Sequence, residues 1–124
     1  IFPDINNSFK GKIYKLNGSS WKQMPGSDAS RISAGGSQVW MVNTAGKIYK
    51  YNGSGWTQTA GSAGRDIAVS NEGKVFLTNT AGKIYQLTGR RWTQLDGSDG
   101  NVVAANNGKL VLINKKGRMY FGAY

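Results

Sequence analysis

A ring, an amide and a cation recur together in this sequence at one fixed separation. Trp40, Asn43 and Lys47 are followed 36 residues later by Phe76, Asn79 and Lys83. Such groups suit a polyhydroxylated ligand: a ring face stacks on C–H groups, amides bond hydroxyls, and an ammonium group meets acidic substituents. The plainer reading is that the rings pack in a core and the lysines are solvated turn residues. Catalysis is poorly provided for. The chain has no histidine and no cysteine, which removes the commonest general base, thiol nucleophiles and the usual transition-metal ligands. Its six acids are Asp4, Asp28, Asp66, Glu72, Asp96 and Asp99, and none recurs at one position in every unit of the sequence. A glycosidase, by contrast, needs two carboxylates flanking a bond at defined separation. The expectation is a binding protein rather than an enzyme, with no cofactor and no metal.

The elements that would position these groups are written by a repeat. Gly11-Lys12-Ile13-Tyr14, Gly46-Lys47-Ile48-Tyr49, Gly82-Lys83-Ile84-Tyr85 and Gly117-Arg118-Met119-Tyr120 stand at spacings of 35, 36 and 35. A fixed period of this length marks a repeat architecture. Alternation with period two, together with 18 glycines, argues for many short strands and against helices. In the clearest unit the expected strands are Ile32 to Ala34, Gln38 to Val42, Lys47 to Tyr51 and Trp56 to Thr59. The Asn52-Gly53 pair between the last two predicts a type I′ turn, whose two central residues both need positive φ. The next unit repeats the plan with strands opening at Asp66, Lys74, Lys83 and Trp92. A third has strands opening at Asn101, Lys109 and Arg118. Before the first full unit, Lys12 to Leu16 and Trp21 to Met24 read as a third and a fourth strand, with Ile1 to Asn7 supplying one remnant strand at most.

A four-stranded meander of this size cannot bury both faces alone; it becomes stable by packing against copies of itself. Radial closure leaves only short, protected edges, so the expected fold is an all-β β-propeller with a blade every 35 residues or so. The blades divide the chain into a partial blade at 1–30, full blades at 31–61 and 65–97, and a partial blade at 101–124. About 3.5 blades fall short of the roughly four to eight of closed propellers. The expectation is closure by oligomerisation, most simply a homodimer of seven blades, or of six if a duplicated third strand stays unpaired.

With the units aligned, Trp21, Trp56 and Trp92 each open a fourth strand. They are followed by Pro25-Gly26, Ala60-Gly61 and Asp96-Gly97, then by Ile32, Ile67 and Val102. Val39-Trp40-Met41-Val42-Asn43 and Val75-Phe76-Leu77-Thr78-Asn79 complete the pattern, which over residues 8–121 resembles the tectonin repeats of β-propeller lectins. Leu110-Val111-Leu112-Ile113-Asn114 departs from it by lacking the aromatic. The resemblance implies carbohydrate binding without catalysis, often of bacterial or modified surface glycans, with several near-identical weak sites. On this reading the ligand-binding residues lie between blades, with Trp40, Asn43, Phe76 and Asn79 at the sugar and Lys47 and Lys83 on the rim. Trp21, Trp56 and Trp92 are expected to pack between blades.

The net charge of +10 favours anionic partners. Glycans or lipopolysaccharide are the expected ligands. Nucleic acid is disfavoured, because no nucleic-acid-binding motif is visible and the aromatics read as buried. No apolar run has membrane-spanning length. Asn6-Asn7-Ser8, Asn17-Gly18-Ser19 and Asn52-Gly53-Ser54 fit the glycosylation triplet, but the last two read first as turns. The compartment, secreted or cytoplasmic, stays open. The alternative to a lectin is a structural or protein-interaction propeller docking an acidic partner through its basic face, or a truncated or engineered propeller fragment.

Overall fold

The computed structural model describes residues 11–124, and among these it holds strands and turns but no helix. β1 (Tyr14–Asn17) and β2 (Ser20–Gln23) pair as an N-terminal half-blade. β3 (Ala29–Gly35), β4 (Gln38–Asn43), β5 (Ile48–Tyr51) and β6 (Trp56–Gln58) form the first full blade. β7 (Gly64–Val69), β8 (Val75–Asn79), β9 (Ile84–Thr88) and β10 (Arg91–Leu95) form the second. β11 (Gly100–Asn106), β12 (Lys109–Asn114) and β13 (Met119–Ala123) form a three-stranded C-terminal blade. Every pairing is an antiparallel meander. The expected third and fourth strands before the first full blade are β1 and β2. The remnant strand expected in Ile1 to Asn7 lies outside the described residues.

The single spacing of 36 has a local cause. Five residues, Ser70 to Lys74, separate the paired Val69 and Val75, whereas four (Gly35 to Gln38, Asn106 to Lys109) suffice in the other two blades. Each first strand also carries a bulge at the same point, at Ser30, Arg65 and Asn101. The bulge corrects one alignment: Ile32 and Ile67 face Met41 and Leu77 as Val103, not Val102, faces Leu112. The turn at Asn52-Gly53 also differs from expectation. Tyr51 pairs with Trp56, so the loop has four residues, and only Gly53 of the pair has positive φ (101°). The Asn52 side-chain oxygen accepts the N–H groups of Ser54 and Gly55 at 3.0 and 2.9 Å, closing a wider turn that needs no left-handed asparagine.

The blades pack face to face, and the core lies between them. Trp40, Val42 and Ile48 of the first full blade meet Ile67, Val69, Val75 and Leu77 of the second. Ala68 and Phe76 then meet Val103 and the half-buried Leu110 and Leu112 of the C-terminal blade. Full burial of one such side chain contributes about 1.5–3 kcal/mol. Main-chain bonds fix the spacing: Gly64 N–H donates to Gly46 C=O, and Gly100 N–H to Gly82 C=O, both at 2.9 Å. Gly46 has to be glycine here, because its φ is 81° and a Cβ would stand 2.9 Å from the Cα of Ala63.

Two of the three fourth-strand tryptophans pack as expected. Trp56 Nε1–H donates to Pro25 C=O at 2.8 Å, and Trp92 Nε1–H to Ala60 C=O at 2.9 Å, each tying a blade to the one before. Trp21 differs: it is 67% exposed.

Candidate functional site

Hairpin register decides what surrounds each repeated side chain. In the β4–β5 pair Trp40 stands opposite Lys50, whose Nζ lies 5.7 Å from the centre of the indole. That is the geometry of a cation–π contact. Trp40 is buried, its Nε1–H donating to Gln38 Oε1 at 2.9 Å, and Gln38 Nε2 reaches Gly73 C=O of the next blade at 3.3 Å. The ring of Trp92 meets it edge-on with centroids 6.3 Å apart. Above this floor a cleft of about 710 Å³ opens between the two full blades. Gln38, Lys50, Thr57 and Gln58 line it from one blade, Lys74, Leu87, Gly89 and Arg90 from the other. Among the described residues, three cations and no carboxylate face the space. Its hydroxyl and amide groups can both donate and accept hydrogen bonds, while the cations favour an anionic substituent.

Of the six side chains expected at the ligand, Trp40 lines this cleft. Asn43 and Lys47 lie toward the other end of β4, about 10 Å along the strand from Trp40 at the usual rise per residue. Asn43 Oδ1 is spent on its own turn, accepting the N–H groups of Ala45 and Lys47 at 3.0 and 2.8 Å. Asn79 does the same for Ala81 and Lys83, at 3.1 and 2.8 Å. Asn114 repeats it for Lys116 and Arg118, so the recurring asparagine is a turn former in all three blades. Lys47 and Lys83 are exposed, as are Lys12, Lys115, Lys116 and Arg118. Their turns adjoin the loops that join blades, since Gly46 approaches Ala63 and Gly82 approaches Asp99. These cations lie at the end of the blades opposite the cleft.

Phe76 has a different neighbour from Trp40. Its ring is fully buried, and Tyr124 lies against it with centroids 4.9 Å apart. Tyr124 is held by a bond from its hydroxyl to Glu72 Oε1 at 3.0 Å and from its N–H to Gly108 C=O at 2.9 Å. Glu72 Oε1 also accepts the N–H of Asn107 at 3.1 Å. Hydrogen bonds to the carboxylate, from its own main-chain N–H first, hold Glu72 below the ordinary carboxylate range. The position of Tyr124 in the C-terminal blade corresponds to Gly89 in the second full blade, which leaves the first junction open.

A second cluster escaped the sequence reading. The inner edges of β3, β7 and β11 border a space of about 470 Å³ into which Asp66 projects. Its Oδ1 accepts the N–H of Ile67 at 2.9 Å, and its Oδ2 accepts that of Val103, one blade on, at 2.8 Å. Arg31 Nε of the preceding blade stands 3.3 Å from Oδ1. Ser33 Oγ likewise accepts the N–H of Val69 at 2.9 Å. These contacts satisfy strand-edge donors that no further strand pairs. Among the described residues, no group of three or more acidic side chains is placed to hold a metal ion.

Antiparallel four-stranded units stacked face to face, each tied to the last by a main-chain bond and an indole, define an arc of β-propeller blades. Residues 5–65 match the tectonin domain, which identifies that stretch as tectonin-type repeat. The structure of the chain is similar to that of PorZ, an essential bacterial surface component of the type-IX secretion system of Porphyromonas gingivalis. The TM-score is 0.57 at 14% identity, over 95% of this chain and 20% of that one. At that identity the likeness shows the fold alone, and this chain spans 20% of the length of that relative. No curated protein matches it in sequence.

Proposed function

We propose that the chain is a non-catalytic carbohydrate-binding protein whose ligand enters the cleft between the two full blades. The observation that carries this reading is the cleft itself: a buried Trp40 floor, amide and hydroxyl groups on its walls, and Lys50, Lys74 and Arg90 facing one space with no carboxylate among the described residues. Gln58 and Thr57 would bond sugar hydroxyls, and Lys50 and Arg90 would meet an acidic substituent such as the phosphate of a lipopolysaccharide. Lys47 and Lys83, on the opposite rim, would speed encounter with an anionic surface rather than grip the sugar. Each contact is weak, so useful affinity comes from several clefts held on one rigid assembly.

A glycan array tests this. Lys50→Ala with Arg90→Ala should abolish binding to the glycans the unaltered chain retains. Lys47→Ala with Lys83→Ala should leave the retained set unchanged and flatten only its salt dependence. An array profile that survives the cleft pair overturns the placement. The second reading, a basic face docking an acidic protein, is favoured by the six exposed cations on the rim. An empty array, with an acidic peptide captured through Lys47 and Lys83, would select it.

A further inference from the structure

One unit before the cleft, the repeat sets the same positions around a second opening. Lys15, Lys22 and Gln23 of the N-terminal half-blade face Tyr51, Gly53 and Ser54 of the first full blade across a space of about 340 Å³. Lys50 and Gln58 stand 35 residues on from Lys15 and Gln23, and Gly89 and Arg90 stand 36 on from Gly53 and Ser54. All four of those counterparts line the cleft. Gly53, like Gly89, leaves open the place that Tyr124 fills in the C-terminal blade, and a Cβ on either glycine would meet nothing within 4 Å. The walls are fixed to one another. Trp56 Nε1–H bonds Pro25 C=O across the junction, and the ring of Tyr51 lies 5.1 Å from that of Trp56 while its hydroxyl donates to Gly53 C=O at 3.0 Å. What differs from the cleft is the cross-strand pair. Both full blades carry a threonine there, Thr57 opposite Lys50 and Thr93 opposite Gln86, but the half-blade sets Lys22 opposite Lys15. Side chains in that relation share a face, with Cβ atoms about 4.5–5.5 Å apart, and like charges there are destabilising. Both lysines are exposed, and among the described residues no carboxylate lines the opening. Two ammonium groups that repel across one space are satisfied by an anion between them.

We propose that Lys15 and Lys22 together bind the phosphate of a phosphomonoester. Such a group carries about −1.5 to −2 charges at neutral pH, which matches both ammonium groups, where the single charge of a carboxylate leaves one unmatched. Gln23 offers its amide N–H groups to the phosphate or to a hydroxyl of the esterified molecule. Ser54 Oγ donates to Asn52 Oδ1 at 3.2 Å and retains lone pairs that accept from such a hydroxyl. In the cleft the cations come from two blades, Lys50 from one and Lys74 and Arg90 from the other. Here both come from one hairpin, so the phosphate sits on the half-blade and the group that carries it points toward the first full blade. A phosphate held by two exposed lysines binds at roughly millimolar concentration, too weakly to be retained on an array. The site therefore does not rest on the carbohydrate reading of the cleft.

The test is an amide NMR titration of the isotope-labelled 124-residue chain with a hexose 6-phosphate, the parent hexose, a hexuronate and inorganic phosphate. The hexose phosphate should move the amides of Lys15, Lys22, Gln23 and Ser54, and the hexose should leave them in place. The hexuronate should bind there at least about 10-fold more weakly, for want of the second charge. Lys22→Thr, which gives the half-blade the pair found in the first full blade, should weaken the hexose phosphate at least about 10-fold, the loss of one charged contact. Lys22 is exposed and threonine already serves at that position in two blades, so the variant keeps the fold. Lys50→Ala should leave the affinity at Lys15 and Lys22 unchanged. Inorganic phosphate should move the same amides at higher concentration than the ester, and equal affinity for the two would overturn the assignment of an ester. Shifts confined to Lys47, Lys83 and Arg118, or an affinity that ignores Lys22→Thr, would overturn the site. Loss of the hexose phosphate on Lys50→Ala alone would place the phosphate in the cleft instead and overturn it as well. A cleft that retains no glycan leaves these shifts as expected, so the two readings fail separately.

Discussion

Replacing Asp66 with alanine should destabilise the chain by about 2–5 kcal/mol, and the structure says where that energy goes. The carboxylate is 7% exposed and accepts two main-chain N–H groups, its neighbour's and that of Val103 in the next blade. Alanine leaves both donors without their partner, and each buried unsatisfied group costs about 1–3 kcal/mol. The Arg31 ion pair adds little, because that guanidinium is 47% exposed and such pairs are worth about 0–1 kcal/mol. Arg31→Ala should therefore cost under about 1 kcal/mol. Asp66→Asn keeps one acceptor and turns a donor toward the other N–H, so it should fall between the two. Urea unfolding followed by tryptophan fluorescence measures all three on one scale. An Asp66→Ala loss no greater than that of Arg31→Ala would refute the reasoning, because the ion pair and not edge capping would then be the whole of the residue's contribution.

Trp92→Phe keeps a ring but removes the N–H that reaches Ala60, and should cost about 1 kcal/mol in the same unfolding assay. Gly46→Ala forces a side chain into φ of 81° and against Ala63, and should cost about 2 kcal/mol or more, read as a lowered urea midpoint. Glu72 should titrate below the ordinary carboxylate value, so its contribution is complete above about pH 4.5 and is lost as pH falls through the lowered folded value. Glu72→Gln should flatten that acid limb by lowering stability at neutral pH, and leave low pH less affected. Tyr124→Gly should uncover Phe76 and open a cleft at the second junction, seen as a second class of retained glycans or, without ligand, as a loss of stability.

The blades were legible because glycine turns and period-two alternation write them directly. The sequence joined Pro25-Gly26 and Ala60-Gly61 to the tryptophans before them, Trp21 and Trp56, whereas the indole of the next blade, Trp56 or Trp92, is the one that seats on each. The cleft was much less legible. Lys50 lies ten residues from Trp40 and faces it only once the hairpin register is drawn, with Asn43 to Lys47 as the turn. Arg90 arrives from another blade, by packing that no spacing encodes. Asp66 shows the opposite limit: a lone acid in one unit carries no periodic signal, yet it ties together three blades. Asn43 and Asn79 misled for a physical reason, since an amide that closes a turn recurs as faithfully as one that binds a ligand.

The contrast between the two junctions also changes what multivalency requires. Repetition of the backbone implies repetition of sites, but the open or filled state of a cleft rests on one side chain outside the repeated motif. Gly89 leaves Trp40 and Lys50 facing a space, whereas Tyr124 fills the corresponding place over Phe76. On the described residues one of these two clefts stands open, so a blade junction counts toward multivalency only where the residue at this position is small.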